Sequence, residues 1–208
     1  MSYAILLYDG VEPIDVGATF GVLSMASRRI PDLEFFGVAT AKGTIKCAGN
    51  LIVEADHDLK SCPDVSDIIV TGGPGWVEAA ADLALLEFLQ TRARQPSTRI
   101  SAICTGAMIL AAAGLLDGET ASTKHQVFEG ETAPSRLLAE GGQTNVSSNA
   151  IVESSGILTS GGVTLGIDAM FRLLTLNHGA EIADDVARVM EYSRALESNR
   201  EALGYRTE

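Results

Sequence analysis

One cysteine stands where nucleophilic chemistry is easiest to place. The stretch Ile100–Gly114 reads ISAICTGAMILAAAG. Arg99–Ile103 has the pattern of a short strand, and Cys104 follows at once. After Thr105 and Gly106, an Ala/Met/Ile/Leu run reads as a helix ending at Gly114. Ala102 and Gly106 lie two residues either side of Cys104. A nucleophile elbow needs that spacing of small residues, because a tight strand-to-helix turn leaves no room for bulky neighbours. A thiol there would sit at a helix N-terminus, where unpaired N–H groups favour the thiolate and so attack on an electrophile. The same residue also fits a buried structural cysteine.

Other residues could serve such a nucleophile. Gly72-Gly73-Pro74-Gly75-Trp76 follows the apolar stretch Asp67–Thr71 directly. Glycines after a strand let the backbone approach a ligand, and their N–H groups can cradle an anion or oxyanion. An ordinary strand-to-helix turn fits equally well. No Gly-Lys-Ser/Thr follows, so this is not a Walker A loop, and it is not G-x-G-x-x-G. Ser160-Gly161-Gly162 is a second glycine cluster behind a strand. Asp15 opens a small-residue run through Met25 and is well placed to cap that helix. His57, in a polar linker, and His178, at a helix end, read as structural.

The elements that must position these groups follow in order. Tyr3–Tyr8, Leu33–Ala39, Asp67–Thr71 and Arg99–Ile103 read as strands. Gly43–Asn50 with Leu51–Ala55 reads as a small hairpin, and Glu119–Thr123 as a short strand. Asn149–Val152 and Gly156–Thr159 read as a pair. Helices are predicted over residues 15–25, Glu78–Arg94, Val127–Leu138 (interrupted by Pro134), Thr164–Leu176 and Ala180–Arg194. The tail, Ala195–Glu208, is polar and reads as loose or as a dimer contact. Strands alternating with helices predict an α/β domain over residues 1–208, with a mostly parallel sheet covered on both faces. Ligands of such sheets bind beyond the carboxyl ends of the strands. Gly72–Gly75, Cys104 and Ser160–Gly162 all fall there, which favours a functional Cys104.

Composition narrows the partners. The 208 residues carry a net charge of -12, so nucleic acid and anionic membrane surfaces are poor partners. No apolar run approaches the ~20 residues that span a bilayer. MSYAILLYDG lacks a signal pattern, so a cytoplasmic location is expected. Three cysteines without C-x-x-C spacing argue against a disulfide framework or zinc site.

Four ordered motifs carry a resemblance. They are DIIVTGGPG (67–75), AICTGA (102–107), AAGLLDG (112–118) and TSGGVTLGID (159–168). With the strand-one region they resemble the ThiJ/PfpI superfamily, the glutamine-amidotransferase-like α/β group, over nearly the whole chain. Within it the chain looks most like the isocyanide hydratase branch and the amidase-like domains of AraC-type regulators. The resemblance implies a flavodoxin-like sandwich, a homodimer, no metal or cofactor and Cys104 as nucleophile. Asp15 matches the acidic residue that faces the cysteine in this branch. Two positions depart from the pattern. Ala18-Thr19 stand where the branch usually has Gly-Pro, and Thr123-Lys124-His125 stand where it usually has Thr-His-Trp.

The activity so implied is hydration of an isocyanide to an N-substituted formamide, with Cys104 attacking and Asp15 passing the proton. Asp15 needs a pKa raised toward neutral by burial for that task. Backbone N–H groups of Gly73 and Thr105 are candidates to steady developing charge. Gly72, Pro74, Trp76, Lys124, His125 and Gly161 are candidate contacts to a small-molecule substrate, and Phe128 could help shape the pocket. Rival readings are glyoxalase or deglycase-type chemistry on a 2-oxoaldehyde, another lyase or hydratase step in a biosynthetic pathway, and a non-enzymatic ligand sensor or redox sensor, the redox form resting on a low-pKa, accessible thiol.

Overall fold

A computed structural model describes residues 1–207. The first half runs β1 (Ser2–Leu6), α1 (Pro13–Ser27), β2 (Glu34–Ala39), β3 (Gly43–Lys46), β4 (Ile52–Ala55), β5 (His57–Asp58), β6 (Asp67–Val70), α2 (Trp76–Ala79), α3 (Leu83–Ala93) and β7 (Arg99–Ala102). The second runs α4 (Gly106–Ala112), β8 (Thr120–Ala121), α5 (Pro134–Glu140), β9 (Asn145–Val146), β10 (Ile151–Ser154), β11 (Ile157–Ser160), α6 (Leu165–His178), α7 (Ala180–Val189), α8 (Ser193–Leu203) and β12 (Tyr205–Thr207).

Eight strands form the central sheet in the order β12-β10-β11-β7-β6-β1-β2-β5. Pairing is parallel except between β10 and β11, which form an antiparallel hairpin. β1 and β6 are apolar on both faces, and Ala4, Ile5, Leu6, Ile68, Ile69 and Val70 are all fully buried. A parallel strand covered by helices on both sides reads as such an unbroken apolar run. α1 and α6 pack together on one face, and α4 contacts α3 on the other. The mostly parallel α/β sandwich therefore matches the fold that alternation predicts. No helix is long and apolar enough to cross a membrane.

Four elements differ from the sequence expectation. His57, read as part of a polar linker, lies in β5, which pairs with the end of β2. The predicted helix Glu78–Arg94 is broken in two, because Asp82 accepts from the Ala84 and Leu85 N–H groups and so starts a new helix at Leu83. Val127–Ala133 stays irregular, and the helix there begins only at Pro134, whose fixed φ suits a first helical position. The tail is neither loose nor featureless, since it forms α8 and the edge strand β12, parallel to β10.

One buried carboxylate anchors that tail. Asp168 of α6 is fully buried and accepts from Tyr192 Oη (2.8 Å), Asn199 Nδ2 (3.1 Å) and Tyr205 Oη (3.3 Å). The Arg200 guanidinium also lies 4.9 Å from the Tyr205 ring centroid. Asp168→Leu leaves three donors without their acceptor, and we expect a loss of about 2–4 kcal/mol in denaturant unfolding. Limited proteolysis should then cut first within residues 193–207.

Candidate functional site

The turn after β7 places the thiol. Cys104 has φ 54°, a left-handed conformation that a non-glycine residue holds only when its surroundings impose it. Gly106 permits the turn: a Cβ there would stand 2.2 Å from the Val70 carbonyl oxygen, so α4 can cross β6 only with glycine at that point. From the following segment, the Thr123 hydroxyl donates to the Cys104 carbonyl at 2.8 Å and holds the elbow from outside. Glycine at 106 is thus required by the neighbouring strand β6 and not by the turn alone.

Asp15 enters from the first turn of α1 and is not its cap. Glu12 occupies the N-cap position and accepts from the Ile14 N–H at 3.5 Å. The Asp15 side chain instead turns inward, is fully buried, and accepts from the Gly72 N–H at 2.8 Å through Oδ2. Its Oδ1 has no hydrogen-bond partner among the described residues. Gly72 links the two side chains, because its N–H binds Asp15 and a Cβ on it would lie 2.8 Å from Cys104 Cβ. Thr19, at the position where proline was expected, folds its hydroxyl back onto the Asp15 and Val16 carbonyls.

Burial sets the protonation of the pair. Desolvation, opposed by the Gly72 N–H, raises the Asp15 carboxyl from 3.8 to about 7. Desolvation and then the Asp15 charge push the Cys104 thiol up to about 12, while the Thr105 N–H pulls it down. The thiolate expected from a helix N-terminus is therefore corrected. Cys104 is only 3% exposed, and loss of water outweighs the pull of a seven-residue helix. At neutral pH the sulfur carries its proton, and the carboxyl beside it is poised to take one.

The backbone donors are also placed differently from expectation. The Gly73 N–H donates to Thr105 Oγ1 at 2.8 Å and is thus engaged, whereas the Thr105 N–H faces the Cys104 sulfur. Tyr8 donates to the Thr71 carbonyl at 2.9 Å and backs this network from β1's end.

A cavity of about 720 Å³ opens over the thiol. Cys104, Thr105, Gly73, Pro74, Trp76 and Lys124 line it, as do Ile14, Val127, Phe128, Pro134 and Val163. His125 does not line it; its Nε2 lies 2.9 Å from the Ser147 carbonyl oxygen. Lys124 stands at the wall instead, so the shifted Lys-His pair presents an ammonium and not an imidazole. Gly161 points away, toward Leu165, and Gly162 takes its place: a Cβ there would lie 2.6 Å from Cys104 Sγ. Gly72 is likewise no lining residue and acts through Asp15. Sequence reasoning missed Glu12, Tyr8 and Gly162; only the position of Gly162 inside a glycine cluster hinted at its use. Gly162→Ala puts a methyl group against the sulfur, and we expect roughly a 10²-fold fall in kcat with the protein still folded by circular dichroism.

Residues 1–176 match the family model for DJ-1/PfpI. The chain belongs to the DJ-1/PfpI family.

Relatives within DJ-1/PfpI differ in what they do. Isonitrile hydratase of Pseudomonas putida is 28% identical over 190 residues, covering 91% of this chain and 78% of that protein. The HTH-type transcriptional regulator GbdR of Pseudomonas aeruginosa is 30% identical over 151 residues, covering 69% of this chain but 37% of the regulator. Among solved structures, a ThiJ/PfpI family protein from Pseudomonas syringae superposes with a TM-score of 0.79 at 24% identity, over 92% of this chain and 74% of that one. Drosophila melanogaster DJ-1beta superposes at 0.77 with 18% identity, over 91% and 97%. At these identities the superpositions speak for the fold alone.

Proposed function

We propose that this DJ-1/PfpI protein hydrates isocyanides to N-substituted formamides. One observation carries the reading. A buried carboxyl with a pKa of about 7 and one unpartnered oxygen lies behind a protonated thiol, and the thiol lines a largely apolar cavity. An isocyanide carbon takes both a nucleophile and a proton, which such a pair can deliver in succession.

The steps balance as follows. Asp15 carboxylate takes the Cys104 proton while sulfur bonds to the terminal carbon of R–N≡C. The same proton passes from Asp15 to that carbon, giving the thioimidate R–N=CH–S–Cys104. Water then adds to the carbon as Asp15 accepts its proton and returns one to nitrogen. The C–S bond breaks, the hydroxyl proton passes to sulfur through Asp15, and R–NH–CHO leaves with the thiol restored. Ile14, Pro74, Trp76, Val127 and Val163 supply apolar contact for R. The redox-sensor reading loses its premise, because the thiol is neither exposed nor of low pKa.

The decisive assay offers an alkyl isocyanide and methylglyoxal separately, in H₂¹⁸O. We expect formamide carrying one ¹⁸O. Lactate alone would move the chemistry to the 2-oxoaldehyde class, and neither product from folded protein would sink both.

A further inference from the structure

Three charged side chains line the Cys104 cavity: Glu12, Lys124 and Glu131. The two carboxylates already have partners. Glu12 Oε1 accepts from the Ile14 N–H, and Glu131 Oε2 accepts from the Phe128 N–H at 3.1 Å. The Lys124 ammonium has no ion pair and no side-chain hydrogen bond among the described residues.

Its position is set closely. The Lys124 carbonyl accepts from the Ser135 N–H at 3.1 Å, which ties this wall to α5. A Cβ on Gly162 would lie 3.1 Å from Lys124 Cβ, 3.2 Å from its Cγ and 2.6 Å from Cys104 Sγ. The lysine stem therefore runs beside the thiol, and the residue lines the same cavity. The Asp15 carboxyl and the Cys104 thiol feel its charge, and Glu12 and Glu131 share the cavity with it, but none of these groups pairs with it. A cation beside apolar walls is short of hydrogen bonds and gains most from a ligand anion, since charge-assisted bonds strengthen as water is excluded.

We propose that Lys124 is a carboxylate subsite, and that the preferred substrates are isocyanides bearing a carboxylate on the carbon next to nitrogen, the isocyano counterparts of amino acids. The substrate class rests on the hydratase reading; the subsite does not. The isocyano carbon meets Cys104 while the carboxylate turns to the Lys124 side. Glu12 and Glu131 repel it from the remaining walls and so fix one orientation.

The experiment has two arms. The first compares kcat/KM for isocyanoacetate and its methyl ester in wild type, Lys124→Met and Lys124→Arg. We expect wild type to favour the acid by roughly tenfold or more, Lys124→Met to bring the ratio near one, and Lys124→Arg to restore much of it. A wild-type ratio near one, or the same ratio in Lys124→Met, overturns the proposal. The second arm measures binding of N-formylglycine and its methyl ester by calorimetry. Tighter binding of the acid that disappears in Lys124→Met supports the subsite even if wild type turns over neither isocyanide, in which case only the hydratase reading fails. Equal binding of acid and ester overturns the subsite.

Discussion

Cys104→Ala should form no formamide above background while keeping its fold. The expected loss is roughly 10³-fold or more, because no other group at the cavity floor can make the covalent bond to carbon. Cys47 and Cys62 are free and buried as well, but neither lines the cavity. The fold should survive because alanine is smaller than cysteine and the elbow is held through its backbone groups, which the substitution leaves in place: the Ile103 N–H donates to Val70 O at 3.0 Å, and the Thr123 hydroxyl donates to Cys104 O at 2.8 Å. Cys104→Ser tests the role of sulfur itself. Serine keeps the geometry but is a poorer nucleophile toward a soft carbon, so it should stay near the alanine level. Formamide production by folded Cys104→Ala at more than a tenth of the wild-type rate would rule out the covalent route.

Asp15→Asn separates activity from stability. Asparagine can still accept from the Gly72 N–H, but it cannot carry the proton, so kcat should fall by roughly 10²–10⁴-fold. Stability should rise instead. The folded carboxyl titrates at about 7 and the unfolded one near 3.8. Below the unfolded value both states are protonated and the group costs nothing. As pH rises toward 7, the unfolded chain ionises while the folded one resists, so stability drains away and the deficit is complete above about 7. That difference corresponds to on the order of 4 kcal/mol at most. Asp15→Asn should therefore raise the melting temperature at pH 8 by several degrees and by much less at pH 4.5, as read by calorimetry.

The pH–rate profile follows from counting protons on the pair. The reactive form holds one proton between Asp15 and Cys104. Wild-type kcat/KM should rise through pH 7 as the second proton leaves, then stay level, since the thiol releases its own only near 12. A profile falling through pH 7 would mean that Asp15 must start protonated.

Much of this protein is legible in the bare sequence because the relevant signals are local. Short apolar runs such as those of β1 and β6, bounded by turn residues, fit strands buried on both faces, and their alternation with helices points to a parallel sheet. The Ala102–Gly106 spacing marks the elbow as a local pattern, although the conflict that demands glycine at 106, a Cβ against the Val70 carbonyl, comes from the neighbouring strand β6. Ends and breaks of helices were less legible. The Asp82 cap splits one helix with a single side chain, and the tail becomes ordered only when Asp168, more than twenty residues upstream, collects donors from Tyr192, Asn199 and Tyr205.

What tertiary structure alone decided is the electrostatics of the site. A sequence places Asp15 near a helix start and Cys104 at another, which points to a cap and a thiolate. Packing instead turns both inward, removes their water, and sets one proton between them. Likewise, sequence leaves Lys124 and His125 as adjacent candidates. The turn after β8 sends one to the cavity and the other to the Ser147 carbonyl. Charge state and side-chain direction depend on solvent exclusion by residues distant in the chain, and no local pattern encodes that.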